Sequence, residues 1–137
     1  MEESVFFILV CVEKERFQSL ETFLREHDDV EVLTVSSASD ALQVLAARPV
    51  DVAVVDEQLG EVSGLAFIAQ LVRHNPFLNC ALVSELAADD FHEVTEGYGV
   101  FMQLPPQPAR QDGQQLLENC RRITRMLGET GTHKVTP

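Results

Sequence analysis

Short apolar segments alternate with amphipathic segments along this whole chain. Residues 5–12 are apolar throughout, and residues 52–55 form a second such run. Runs of this kind are typical of strands that are covered on both faces of a parallel sheet. Between the two runs, Phe17, Leu20 and Leu24 repeat at helical spacing. Strand and helix in alternation favour βαβ units, so we expect a doubly wound α/β domain.

The same patterns predict five strands and five helices. The strands are predicted at residues 5–12, 30–35, 52–55, 80–83 and 100–104. One helix is predicted to begin at Ala38, with Ser37 as its cap. The other four are predicted at about 15–26, 63–74, 88–95 and 112–127. Residues 30–35 alternate apolar and polar side chains, as a half-exposed edge strand does. With right-handed crossovers, a central first strand and an edge second strand favour the order 2-1-3-4-5.

Composition limits the classes of protein to which this chain can belong. Its 137 residues fit one domain, which we place at residues 1–127, with 128–137 as a flexible tail or the start of a linker. The net charge of -12 argues against direct binding to nucleic acid and favours protein partners. No apolar run approaches the ~20 residues that a membrane-spanning helix needs.

The three cysteines indicate the redox environment in which the protein works. Cys11, Cys80 and Cys120 lie within apolar patterns and show no metal-type spacing. They are therefore predicted to be buried thiols in a reducing environment. The expected location is the cytoplasm.

Asp56 is the strongest candidate for a functional residue. It follows the apolar run 52–55 and precedes a loop that contains Gly60 and Gly64. The predicted strand delivers this carboxylate to the carboxyl edge of the sheet, where open α/β sheets bind ligands. Ser84 ends the next strand at the same edge. A simpler interpretation is that Asp56 only caps or turns the chain.

The segment from Val54 to Gly64 resembles the phosphoacceptor strand and loop of response-regulator receiver domains. It matches them in length, in Leu59 three residues after Asp56, and in the closing Gly64. The resemblance covers roughly residues 5–127 and implies a flavodoxin-like fold. It also implies a role in two-component or phosphorelay signalling, with Asp56 as acceptor of a phosphoryl group. The resemblance implies that the protein is not an enzyme, apart from magnesium-dependent self-phosphorylation and dephosphorylation at Asp56.

The resemblance further implies a Mg²⁺ site and a switch. Glu13, Asp56 and the backbone carbonyl of Gln58 match the family's metal ligands, whereas Val12 replaces one acid, so we expect weak binding. The switch positions are Ser84, a hydroxyl that contacts the phosphoryl group, and Phe101, the mobile aromatic residue. The site departs from the family pattern at Val12, at Glu85, where a small residue is usual, and at Leu104, where the family has lysine.

These departures leave more than one function open. The leading hypothesis is a receiver that takes its phosphoryl group from a histidine kinase, a phosphotransfer protein or a small phosphodonor. The alternative is a pseudo-receiver that binds proteins without phosphorylation. A small hydrolase or phosphatase is disfavoured, since no base, lysine or second acid is identifiable. The resemblance places dimerisation or effector docking on the fourth helix, the fifth strand and the fifth helix.

Overall fold

A computed structural model describes the backbone of residues 4–135 and the side chains of residues 4–123. Its centre is a parallel sheet of five strands. They are β1 (Val5–Val10), β2 (Val30–Val35), β3 (Val52–Val55), β4 (Asn79–Val83) and β5 (Val100–Leu104). The spatial order is β2-β1-β3-β4-β5, which confirms the predicted flavodoxin-like order.

Helices cover both faces of this sheet. They are α1 (Gln18–Arg25), α2 (Ala38–Ala47), α3 (Gly64–His74), α4 (Ala88–Thr95) and α5 (Arg110–Val135). Helices α1 and α5 pack on one face, where Leu20 and Leu116 are fully buried. The opposite face is covered by α2, α3 and α4, and Phe67 is fully buried there. None of the described helices is long and apolar enough to cross a membrane.

Serine side chains cap two of these helices, and the cap at Ser37 is the one that the sequence predicts. The hydroxyl of Ser37 accepts the N–H of Asp40 at the start of α2, and Ser63 accepts that of Ala66 at the start of α3. Each bond satisfies a backbone donor that the first helical turn leaves free. Ser63 thereby fixes where α3 leaves the loop after Asp56.

The first strand and the first helix differ from their predicted bounds. Strand β1 ends at Val10 rather than at Val12, whose side chain is 49% exposed. The chain then forms a 3-10 turn, Lys14–Phe17, before α1 begins at Gln18. Glu13 makes no side-chain cap, and the N–H of Arg16 bonds the Glu13 carbonyl at 3.0 Å. The turn is therefore tighter than the predicted helix start.

The last helix is longer than predicted at both ends. It begins at Arg110, because the Asp112 carboxylate accepts the N–H of Ala109 at 2.7 Å and so caps the first turn. It continues to Val135, beyond the predicted end near Leu127. The domain boundary at residue 127 stays a prediction, and residues 136–137 of the predicted tail lie outside the described part of the chain.

Candidate functional site

Asp56 lies at the carboxyl edge of the sheet, directly after β3. Its N–H continues the strand ladder to the carbonyl of Val10 at 3.0 Å, and the residue is only 4% exposed. The carboxylate nevertheless borders an open depression of about 350 Å³. The lining residues are Val12, Glu13, Arg16, Asp56, Glu57, Gln58 and Gly60. The predicted acceptor is thus buried by its neighbours but reachable from one side.

The Asp56 carboxylate is paired with Arg16. Arg16 Nε donates to Asp56 Oδ2 at 2.6 Å, and Nη2 donates to Oδ1 at 3.0 Å. Such a two-point contact is the strongest geometry that arginine offers to a carboxylate. The hydrogen bond to Asp56 raises the pKa of Arg16 above its ordinary value.

Sequence reasoning missed this pair, although a signal was present. Arg16 is 40 positions away from Asp56 along the chain. However, β1 and β3 are neighbours in the register Val10↔Val55, so the turn after β1 must pass beside Asp56. A cation in that turn could have been considered as a partner.

Backbone contacts hold the rest of the acceptor loop. The N–H of Glu57 donates to Asp56 Oδ1 at 2.7 Å, and the N–H of Gly64 donates to the Glu57 carbonyl at 2.8 Å. Oδ1 therefore accepts two hydrogen bonds, whereas Oδ2 accepts the single bond from Arg16 Nε. Gly60, at a φ of 67°, makes the turn between two short antiparallel strands, Gln58–Leu59 and Val62–Ser63.

The predicted metal ligands border the depression but do not form a Mg²⁺ site in this arrangement. Glu13 and Gln58 line it together with Asp56. Both oxygens of Asp56 are held by Arg16, and Val12 offers no side-chain oxygen. Within the described residues, no cluster of three acidic, histidine or cysteine side chains could hold a metal ion. The donor set therefore does not fit the ion while Arg16 stays in place.

The predicted switch residues belong to the two strands beyond β3: Ser84 directly follows β4, and Phe101 lies in β5. Ser84 follows β4 and is 7% exposed, and its hydroxyl accepts the N–H of Leu86 at 3.1 Å. Phe101 is half-buried and packs on the core beneath α1 and α5. Leu104 is fully buried in that same core, and Glu85 is exposed. The Ser84 hydroxyl thus caps the loop locally in this structure.

Gln103 is a second polar residue that sequence reasoning missed. Its side-chain nitrogen donates to the carbonyls of Ser84 at 3.0 Å and of Leu86 at 2.8 Å. Leu104 is buried in the core, whereas Gln103 is half-buried and its side chain reaches the loop after β4. Gln103 therefore links β5 to the loop that leads into α4.

The electrostatics at this edge also affect a thiol. All three cysteines are buried, as predicted. Burial, with a further contribution from the negative charge of Asp56, raises the pKa of Cys11 to about 11. Burial alone raises the pKa of Cys80 to about 12. Both thiols stay protonated at neutral pH, which excludes them as nucleophiles.

Comparison with known proteins places this arrangement in a family. A family model described as the response regulator receiver domain matches residues 9–105. A search of curated proteins found no match.

Solved structures of receiver domains share the fold. One is a response regulator receiver domain protein from Clostridium thermocellum, at 20% identity and a TM-score of 0.75, covering 90% of this chain and 98% of that one. Another is the signal receiver domain of an HD domain-containing protein from Pseudomonas fluorescens Pf-5, at 18% identity and a TM-score of 0.78, covering 94% and 95%. A CheY-like receiver protein from Methanospirillum hungatei JF-1 gives 17% identity and a TM-score of 0.72, covering 96% and 99%.

These likenesses agree with the sheet order. The family match covers the end of β1 and the whole of β2, β3, β4 and β5. The chain belongs to the response regulator receiver domain family, whose members act in two-component signal transduction.

Proposed function

We propose that this receiver domain accepts a phosphoryl group on Asp56. The observation that supports the proposal is the position of the Asp56 carboxylate, which is buried at the carboxyl edge of the sheet yet borders an open depression. A nucleophile in that position meets its donor from one direction only. The same edge is where α/β sheets of this order carry their chemistry.

In the proposed reaction, a carboxylate oxygen of Asp56 attacks phosphorus and forms an acyl phosphate. The bond between phosphorus and the donor breaks, and its electron pair leaves with the donor's histidine ring or with the carboxylate of a small acyl phosphate. Oδ2 is the expected nucleophile, because it must give up only the bond from Arg16 Nε. Oδ1 would have to give up bonds to Arg16 and to the Glu57 N–H.

The proposed partners are proteins in the cytoplasm. A histidine kinase or a phosphotransfer protein would supply the phosphoryl group. The proposed docking face for an effector or a second copy is formed by α4, β5 and α5. Leu86 and Val94 support this choice, since these apolar side chains at α4 are 43% and 42% exposed.

A phosphorylation-independent binding module is the second candidate function. Two observations favour it: Arg16 occupies both oxygens of Asp56, and Leu104 is buried in the core where the family has lysine. Lysine would add a charge-assisted hydrogen bond of about 1.5–3 kcal/mol to a phosphoryl oxygen. This module would use the same docking face without a change at Asp56.

Phosphorylation of the intact protein separates the two candidates. After incubation with acetyl phosphate, we expect the mass of one phosphoryl group on the wild type and none on Asp56→Asn, which keeps the size of the side chain but removes the nucleophile. Asp90→Asn is the matched control, because Asp90 is exposed on α4. A label that persists in Asp56→Asn would exclude Asp56 as acceptor. No label on the wild type, from acetyl phosphate or from a histidine kinase, would favour the binding module.

A further inference from the structure

The buried carboxylate of Asp56 needs a counter-charge. Moving a carboxylate out of water is costly unless a cation and hydrogen bonds replace the lost solvent. In the described part of the chain, Arg16 provides both, through bonds of 2.6 Å and 3.0 Å to the two oxygens. The Asp56 side chain is 6% exposed and that of Arg16 is 28% exposed. The arginine is therefore the more exposed partner of the pair and carries the positive charge beside the buried carboxylate.

The backbone positions Arg16 for this contact. The Arg16 N–H bonds the Glu13 carbonyl within the 3-10 turn. The next residue, Phe17, is fully buried beneath α1 and α5, which anchors the turn to the core. With Phe17 directed into the core, the neighbouring Arg16 side chain extends towards the edge of β3.

We propose that the Arg16 guanidinium is the resident cation of the Asp56 pocket and takes the place of a Mg²⁺ ion there. Mg²⁺ requires oxygen ligands at about 2.0–2.1 Å in near-octahedral geometry. The two nitrogens of Arg16 lie against both oxygens of Asp56, so the guanidinium and the ion compete for the same carboxylate. Val12 further lowers the affinity for the ion, since it supplies no oxygen. The positive charge of Arg16 thus balances the negative charge of Asp56 without a bound ion.

Titration with Mg²⁺ tests this competition without any phosphorylation. Amide chemical shifts of the acceptor loop are followed at constant ionic strength in the wild type and in Arg16→Gln. We expect Arg16→Gln to bind Mg²⁺ at least about tenfold more tightly, the factor that corresponds to about 1.4 kcal/mol. Arg16→Lys, which keeps the charge but loses the two-point contact, should lie between them. Equal affinity in the wild type and Arg16→Gln would overturn the proposal.

Two control variants separate the local effect from a general one. Arg48→Gln also removes one positive charge and one two-point contact, because Arg48 binds both oxygens of Glu31 at 2.9 Å. It should leave the affinity for Mg²⁺ at the wild-type value, and an equal gain in this variant would indicate non-specific attraction to an acidic protein. The double variant Arg16→Gln with Asp56→Asn should lose the gained binding, which would show that Asp56 is the ligand.

A second experiment rests on the proposed function. The wild type should accept phosphoryl groups from acetyl phosphate equally well with EDTA and with Mg²⁺, whereas Arg16→Gln should be labelled only with Mg²⁺. Labelling of the wild type that stops with EDTA would overturn the proposal for Arg16. If no variant is labelled under either condition, the proposed phosphoryl acceptance fails, and the Mg²⁺ titration alone decides the role of Arg16.

Discussion

Because Gly64 has no side chain, α3 can begin in close contact with the backbone of Asp56. A Cβ atom at Gly64 would lie 2.0 Å from the backbone carbonyl oxygen of Asp56 and 2.9 Å from a methyl group of Leu82. No backbone atom can be approached so closely without a shift of the chain. The glycine is therefore required by packing, and it fixes the direction in which the Asp56 loop returns to the helix.

Gly64→Ala is expected to destabilise the fold by about 3 kcal/mol, because the added methyl group meets backbone rather than a flexible side chain. Gly60→Ala is the matched control in the same loop. Gly60 has a φ of 67°, but a methyl group added there would have no atom within 4 Å, so only the backbone strain of about 1–2 kcal/mol applies. Urea unfolding of both variants measures the difference. Equal losses would contradict the contact with Asp56.

Side-chain pairing is where residue-level prediction from the sequence failed. Asp56 was identified from its position after an apolar run, which is a property of the local pattern. Its partner Arg16 lies in the acidic stretch after β1, and no local pattern indicates which carboxylate an arginine will contact. The same holds for Gln103, whose two bonds depend on the register of β5 against β4.

At the scale of elements, burial explains which bounds could be predicted. Strands β2, β3 and β5 have the bounds that the sequence predicts, since polar, glycine or proline residues flank their apolar runs. Helix α4 also has its predicted bounds. Strand β1 was predicted too long, because Val12 is apolar but exposed. The short strands Gln58–Leu59 and Val62–Ser63 were not predicted, since two residues carry no periodicity.

The hydrogen bonds of Gln103 link β5 to the loop before α4, and a substitution tests this link. Gln103→Leu removes both hydrogen bonds to the Ser84 and Leu86 carbonyls, each worth about 0.5–1.5 kcal/mol. We expect faster amide exchange in the loop before α4 and in its first turn, because the short helix depends on this loop for its position. Gln115→Leu is the control, since the Gln115 side chain bonds to Asn119 within α5. Unchanged exchange in Gln103→Leu would mean that these two hydrogen bonds do not hold α4 in place.

For the whole molecule, charge opposes folding at neutral pH. The chain carries 22 acidic and 10 basic residues, so like charges repel across the compact state. Surface ion pairs offset part of this repulsion. Arg110 pairs with Glu26 and Arg48 pairs with Glu31, and in each case the hydrogen bond from the arginine lowers the pKa of the glutamate. The Arg110 pair ties α5 to the end of α1.

These two effects act in different pH ranges, so we expect stability to pass through a maximum. A drop from about pH 7.5 to about pH 5 reduces the net negative charge and should raise the urea midpoint. Below that, Glu26 and Glu31 become protonated. Because their folded-state pKa values are lowered, the stability they contribute is present above the unfolded-state pKa and is lost as pH falls through the folded-state pKa. Added salt should flatten the rise by screening the repulsion. A midpoint that does not rise between pH 7.5 and pH 5 would show that charge repulsion does not limit stability at neutral pH.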